Sequence, residues 1–98
     1  MELDGGGYVR KLLYNEESGL IFAAISDDNN ETYIQIISLK SLKLVNTFQP
    51  HDSPISDIKF LRNRLLVTCS EDKSIKTWNV KEILERSEMN TLDCIQPV

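Results

Sequence analysis

Apolar residues in this chain come in short runs separated by polar clusters at regular intervals. Tyr8 to Tyr14 is the first run, and Asn15-Glu16-Glu17-Ser18-Gly19 closes it with a turn cluster ending in glycine. Leu20-Ile21-Phe22-Ala23-Ala24-Ile25 is apolar at every position, which predicts a strand buried on both faces. Ser26 to Glu31 is polar. Thr32 to Ser38 is β-branched and aromatic and reads as a third strand, and Lys43 to Phe48 as a fourth. The pattern then restarts. Ile55, Ile58 and Phe60 mark one run, Leu65 to Cys69 the next, and Ile75 to Trp78 a third. Arg62-Asn63 and Ser70-Glu71-Asp72-Lys73 fill the gaps. Short strands at this spacing predict antiparallel meanders. Lys81 to Met89 interrupts the series; its Lys81-Glu82-Ile83-Leu84-Glu85-Arg86 favours helix. Asn90 to Ile95 is predicted to be the last strand, and residues 1–7, with three glycines, a flexible lead-in.

The restart is visible as internal similarity. Ile34-Gln35-Ile36-Ile37 lies 41 residues before Ile75-Lys76-Thr77-Trp78. Ala24 to Asp28 lies 44 before Thr68 to Asp72, and Val9, Leu12 and Tyr14 lie 46 before Ile55, Ile58 and Phe60. Thr47-Phe48-Gln49-Pro50 lies 47 before Cys94-Ile95-Gln96-Pro97. Matches at four places with nearly one period predict a tandem repeat of supersecondary units.

The stretch from His51 to Asn79 resembles one WD repeat, the unit of a β-propeller blade. His51 stands where that family carries its histidine, with Pro50 in place of the preceding glycine. Ser70-Glu71-Asp72 resembles the Ser-x-Asp turn. Ser74 to Asn79 resembles the last strand, with Asn79 in place of the closing aspartate. The resemblance implies an all-β fold of two four-stranded antiparallel blades, 8–50 and 51–98, the second with a helical rim insertion at 81–89. It also implies a buried tetrad, in which Asp72 accepts from the His51 imidazole and a hydroxyl bridges His51 to the Trp78 indole. That hydroxyl is Thr68 or Ser70, which share a strand face. In the first copy Gly5 and Ile37 stand in the places of the histidine and the tryptophan, so apolar packing must hold that corner; Asp28 keeps the aspartate.

Two blades bury only part of their apolar faces, and propellers need more. The chain is therefore expected to be a fragment or truncated product of a larger propeller, or to close a ring with copies of itself or with a partner's blades. What the resemblance implies for function is a binding scaffold for proteins or peptides, without cofactor or metal. The Asp27, Asp28 and Glu31 loop and the Asp52 and Ser53 loop are the candidate contacts. They are expected on opposite rims, and the acidic loop suits a basic peptide.

Charge and composition narrow the alternatives. A net charge of −4 with no Lys/Arg cluster argues against direct nucleic-acid binding. The start is acidic and glycine-rich, not basic and apolar, and the longest apolar run is six residues, so neither a secretory signal nor a membrane span is predicted. Two lone cysteines suit a reducing compartment, cytoplasm or nucleus, and Cys69 reads as a buried small apolar residue. An enzyme hosted on a propeller is the rival class. No nucleophile stands at a telling spacing from the single histidine, no metal-ligand cluster occurs, and Gly5-Gly6-Gly7 precedes a strand instead of a helix, which excludes a phosphate loop.

Overall fold

The structure, a computed structural model, describes residues 8–27, 29, 31–89, 92 and 95–97. Among these residues seven strands and one helix follow one another: β1 Tyr8–Asn15, β2 Leu20–Ser26, β3 Thr32–Ser38, β4 Lys43–Phe48, β5 Ile55–Leu61, β6 Leu65–Ser70, β7 Ile75–Asn79 and α1 Val80–Glu88. Strands β1 to β4 form one antiparallel sheet in chain order, and β5 to β7 a second. The fold is all-β with one short helix, as the run pattern predicts. The lead-in at 1–7 lies outside the described residues. Of the predicted last strand only Leu92 and Ile95 are described. The Ile95 N–H bonds to the Leu92 carbonyl at 3.1 Å, and neither of these two residues is in a strand; the rest of that segment lies outside the described residues.

Tight hairpins make this meander, and they need left-handed backbone. Gly19 has φ 71°, Leu42 56°, Arg62 54°, Asn63 57° and Lys73 71°. At Gly19 a Cβ would meet nothing within 4 Å, so glycine is there for its φ and not for space. Leu61 to Arg64 is a two-centre left-handed turn closed by the Arg64 N–H on the Leu61 carbonyl at 3.1 Å, the turn whose twist matches paired strands.

The helix starts at once where β7 ends. The Asn79 side chain accepts the Glu82 N–H at 3.1 Å, which satisfies one of the free donors of the first turn. Asn79, the position where the family's aspartate was expected, is thus a helix cap. Val80 and Ile83 turn inward and are buried.

Phe22, Ala24, Ile34, Ile36 and Phe48 on one face of the first sheet pack against Ile58, Leu66 and Trp78 of the second and against Ile83 of α1. Two edge-to-face ring pairs cross that interface. Phe22 and Phe60 lie 5.2 Å apart and Phe48 and Trp78 5.4 Å. The other face of the first sheet buries Ala23, Ile25 and Ile37. Strand β2 is therefore covered on both faces, as its unbroken apolar run predicts. In the second sheet Cys69 points the other way from Thr68 and is only half-buried, which corrects its expected place in the core.

The two sheets repeat one another down to their irregularities. A bulge interrupts β1 between Val9 and Lys11, and another interrupts β5 between Ile55 and Asp57, 46 residues on. The second-strand correspondence differs from the expected one. Ile21 lies opposite Tyr14, and Leu66 lies opposite Phe60, so β2 and β6 correspond at 45 residues and not 44. The turn at 62–64 is one residue shorter than the turn at 16–19, which absorbs the difference. One residue of register exchanges the faces of a strand. Thr68 accordingly takes the place of Ala23, and Trp78 that of Ile37.

Candidate functional site

Two features organise the second sheet: a buried chain of hydrogen bonds and the rim of loops in which that chain ends. His51 is 2% exposed although it lies in a loop, because Pro50 and Pro54 tie that loop down. The Pro50 carbonyl accepts from Lys76 Nζ at 3.1 Å, and the Pro54 carbonyl accepts from the Glu71 N–H at 3.0 Å and Ser70 Oγ at 3.2 Å. His51 Nε2 lies 2.7 Å from Thr68 Oγ1, which also accepts the Trp78 indole N–H at 3.1 Å. His51 Nδ1 lies 3.0 Å from Ser74 Oγ, and the Ser74 hydroxyl donates to Asp72 Oδ1 at 2.5 Å.

The proton directions follow by elimination. The single hydroxyl hydrogen of Ser74 goes to the carboxylate, which has none to give, so His51 Nδ1 must carry the imidazole hydrogen. Nε2 is then the acceptor, and the Thr68 hydroxyl donates to it. The series runs Trp78 to Thr68 to His51 to Ser74 to Asp72, with each buried donor matched to an acceptor. This differs from the expected tetrad in two places. Asp72 does not meet the imidazole directly, because the Ser74 hydroxyl stands between them. Ser70 is not the bridging hydroxyl; its oxygen turns to Pro54. Ser74 was missed in the sequence, where the only signal is a serine two residues after an aspartate. In that spacing the Asp72 carboxylate also takes the Ser74 N–H at 2.9 Å and folds the turn.

In the corresponding turn of the first sheet Asp27 is the described aspartate that caps the backbone; Asp28 and Gly5 lie outside the described residues. Asp27 Oδ1 accepts the Asn29 N–H at 2.9 Å and the Glu31 N–H at 3.0 Å. The places of Thr68 and Trp78 are taken there by Ala23 and Ile37, packed together with Ile21 and Ile25.

The electrostatics agree with this network. Burial lowers the His51 pKa below its ordinary value of 6.5, and the Lys76 ammonium adds to the effect; Thr68, Asp72 and Asp52 act in the opposite sense without reversing it. Hydrogen bonds from Ser74, side chain first and backbone second, lower the Asp72 pKa. The hydrogen bond to Glu31 raises the Tyr33 phenol pKa. The sign of the pH effect follows. Folded His51 takes a proton less readily than unfolded His51, so its contribution is complete above about pH 6.5 and is lost as pH falls from there through the folded value. Asp72 acts in the same direction but in the acidic range below its unfolded value. Melting temperature is expected to fall between about pH 7 and pH 5. The same series on a His51→Gln variant is expected to lack that limb; an unchanged limb would remove His51 from the account.

The candidate loops do not lie on opposite rims. Ser26 pairs with Thr32 and Ile34 with Phe48, so the 27–31 loop and the exit of β4 share one end of the first sheet. The chain crosses the sheet twice between them, which returns it to its starting side. Ile55 pairs with Ser70, which brings the turn at 71–74 to the start of β5, where the 49–54 loop delivers the chain. Asp27, Glu31, Asp52, Glu71 and Asp72 thus crowd one rim. Glu31 and Asp52 are exposed, Ser53 is half-buried, and Asp27 and Asp72 are engaged in their own turns. Among the described residues no group of three or more His, Cys, Asp or Glu is placed to hold a metal ion, and no helix is long and apolar enough to cross a membrane.

The WD domain, G-beta repeat family model matches residues 42–79. That span begins at the last strand of the first sheet and ends with the last strand of the second, so the matched unit straddles both sheets. The chain is 29% identical over 77 residues to human DDB1- and CUL4-associated factor 10, a match covering 79% of this chain and 13% of that protein. It is 27% identical over 78 residues to the Danio rerio protein of the same name, covering 79% of this chain and 15% of that one. It is 32% identical over 71 residues to the E3 ubiquitin-protein ligase COP1 of Pisum sativum, covering 72% of this chain and 10% of that protein. The chain therefore spans about 13% of the length of the human relative. No solved structure gives a significant match. Residues 42–79 are a WD repeat.

Proposed function

We propose that this WD-repeat chain forms two successive blades of a β-propeller, at 8–50 and 51–98, and serves as a non-catalytic scaffold that binds other proteins. One observation carries the reading. His51, the single histidine, is buried with both ring nitrogens engaged, so it holds the second sheet together and is not available as a catalytic base. Binding then falls to the loops. Glu31 and Asp52, on adjacent loops of one rim, form an acidic surface for a basic peptide segment. The names of the relatives suggest the setting, DDB1 and CUL4 as partners within a ubiquitin-ligase assembly, and the two lone cysteines suit the cytoplasm or nucleus. The test is fluorescence anisotropy of a labelled lysine-rich peptide, together with a pull-down of purified DDB1. The peptide is expected to bind the chain and to lose that binding with Glu31→Lys/Asp52→Lys at unchanged melting temperature. Equal binding by the variant overturns the acidic-rim reading, and failure to retain DDB1 overturns that partner.

A second reading concerns how the blades close. Strand β1, at the edge of its sheet, leaves Tyr8, Leu12 and Tyr14 about half exposed, and Ile75 of β7 is 69% exposed. Apolar side chains at both ends of a two-sheet stack suit contact with further blades. Light scattering after size exclusion is expected to give a discrete multimer if the chain completes a ring with its own copies. A polydisperse sample is expected if other blades complete it, and a compact stable monomer would count against the propeller.

A further inference from the structure

The rim opposite the acidic loops carries a groove of about 840 Å³ between the two sheets, within the size range of ligand sites. Three local structures wall it: the β1–β2 turn, the β5–β6 turn and the start of α1. We propose that this groove binds an acidic peptide segment that carries an apolar side chain.

Leu61, Leu65 and Leu84 line the groove and leave apolar surface in it; Leu61 is 54% exposed and the other two are half-buried. Around them stand Arg62, Arg64 and Lys81, all exposed and none in an ion pair among the described residues. Glu17 is the only acid in the lining among the described residues. The groove thus offers three cations beside an apolar strip, in a chain whose overall charge is −4. Carboxylates are the groups that guanidinium forks pair with in two-point geometry, and a leucine or similar side chain suits the strip between them.

The walls are fixed to one another before any ligand arrives. The buried Asn15 side chain donates from the first sheet to the Asn63 carbonyl at 3.4 Å, and the Val80 N–H donates to the Arg64 carbonyl at 2.9 Å. The groove is therefore preorganised, which reduces the ordering cost of binding. A nucleic acid fits less well. Among the described residues no aromatic side chain lines the groove to stack on bases. This inference shares no residue with the acidic rim and does not depend on it.

The test is anisotropy of a fluorescein-labelled peptide with four glutamates around one leucine, measured on the full chain. The companion probes are the same peptide with lysines for glutamates, the same peptide with glycine for leucine, and a fluorescein-labelled oligothymidylate. Binding is expected for the first peptide, weaker by about tenfold or more with Arg62→Glu/Arg64→Glu, and weaker in salt. Lys81→Glu, on a different element, is expected to act in the same direction, and melting temperatures report that both variants fold. Loss of the leucine is expected to weaken binding as well. No binding, equal binding of the lysine peptide, an affinity indifferent to both variants, or tighter binding of the oligothymidylate overturns the proposal.

Discussion

Thr68→Val is expected to destabilise the chain by about 2–5 kcal/mol, although it changes almost nothing in volume. The hydroxyl it removes serves two buried groups at once, the Trp78 indole N–H and His51 Nε2. Each stranded group costs about 1–3 kcal/mol when it has no water to turn to. Trp78 and His51 are 3% and 2% exposed, so neither can reach solvent without moving. The loss is a large fraction of the roughly 5–15 kcal/mol that holds a domain of this size. Thr68→Ser keeps the hydroxyl and removes one methyl, so it is expected to cost only about 1 kcal/mol. Urea unfolding checks both, followed by the fluorescence of Trp78, the only tryptophan. Trp78→Phe removes one end of the series, and on that background, with unfolding followed by circular dichroism in place of tryptophan fluorescence, the cost of Thr68→Val is expected to shrink, because groups in one network do not add. A Thr68→Val protein as stable as its parent would mean that the hydroxyl holds nothing.

The same network separates what the chain's residues disclose from what they conceal. Strands β3 and β4 fall where the β-branched runs 32–38 and 43–48 stop, because the flanking polar clusters leave no other boundary. His51, Trp78 and the need for a hydroxyl between them were legible through the resemblance, since a buried histidine and a buried tryptophan each require a partner. The choice between Thr68 and Ser70 was not, because both point to the same face; only the path of the 49–54 loop decides, by placing the Pro54 carbonyl over Ser70. Ser74 was concealed for a related reason. A serine after an aspartate reads as an ordinary turn until the imbedded ring nitrogen above it is known. The placement of the two acidic loops could have been read, since strand crossings alone set it. The groove could not, because its walls come from three turns far apart in the chain and no local pattern announces their meeting.

Register shows how a small misreading travels. A 44-residue correspondence between β2 and β6 sets Ala24 against Thr68; the pairing sets Ala23 there. Ala24 faces the other sheet, whereas Ala23 faces away from it, so the slip would invert both faces of β2. With the register as observed, the first sheet uses Ala23 and Ile37 for apolar contact at the place where the second uses Thr68 and Trp78 for hydrogen bonding. One corner is thus built twice with different chemistry, and the polar version carries the titratable group.

The interface between the sheets depends most on Phe22, and Phe22→Ala is expected to cost about 3–5 kcal/mol. Phe22 is fully buried and meets the edge of Phe60 at 5.2 Å with ring planes at 86°. Its loss leaves a cavity between two sheets that share no strand pairing, so backbone hydrogen bonds cannot compensate. The ion pair between the sheets is weaker. The Lys11–Asp57 pair at 3.4 Å is nearly half exposed and is worth well under about 1 kcal/mol. Phe48 against Trp78 spans the same interface at its other end, so the variant is expected to loosen β1 and β2 against β5 before it releases β4 from β7. Hydrogen exchange is the measurement that resolves this, since amides in β2 and β5 are expected to lose protection ahead of those in β7. Leu12→Ala, at a side chain 57% exposed, is the control and is expected to change stability by less than about 0.5 kcal/mol. If the two variants proved equally mild, the sheets would not be packed on each other through Phe22. If protection instead fell uniformly with the global stability, the two sheets would unfold as one cooperative unit, and the WD repeat that straddles them would be held by more than its aromatic pairs.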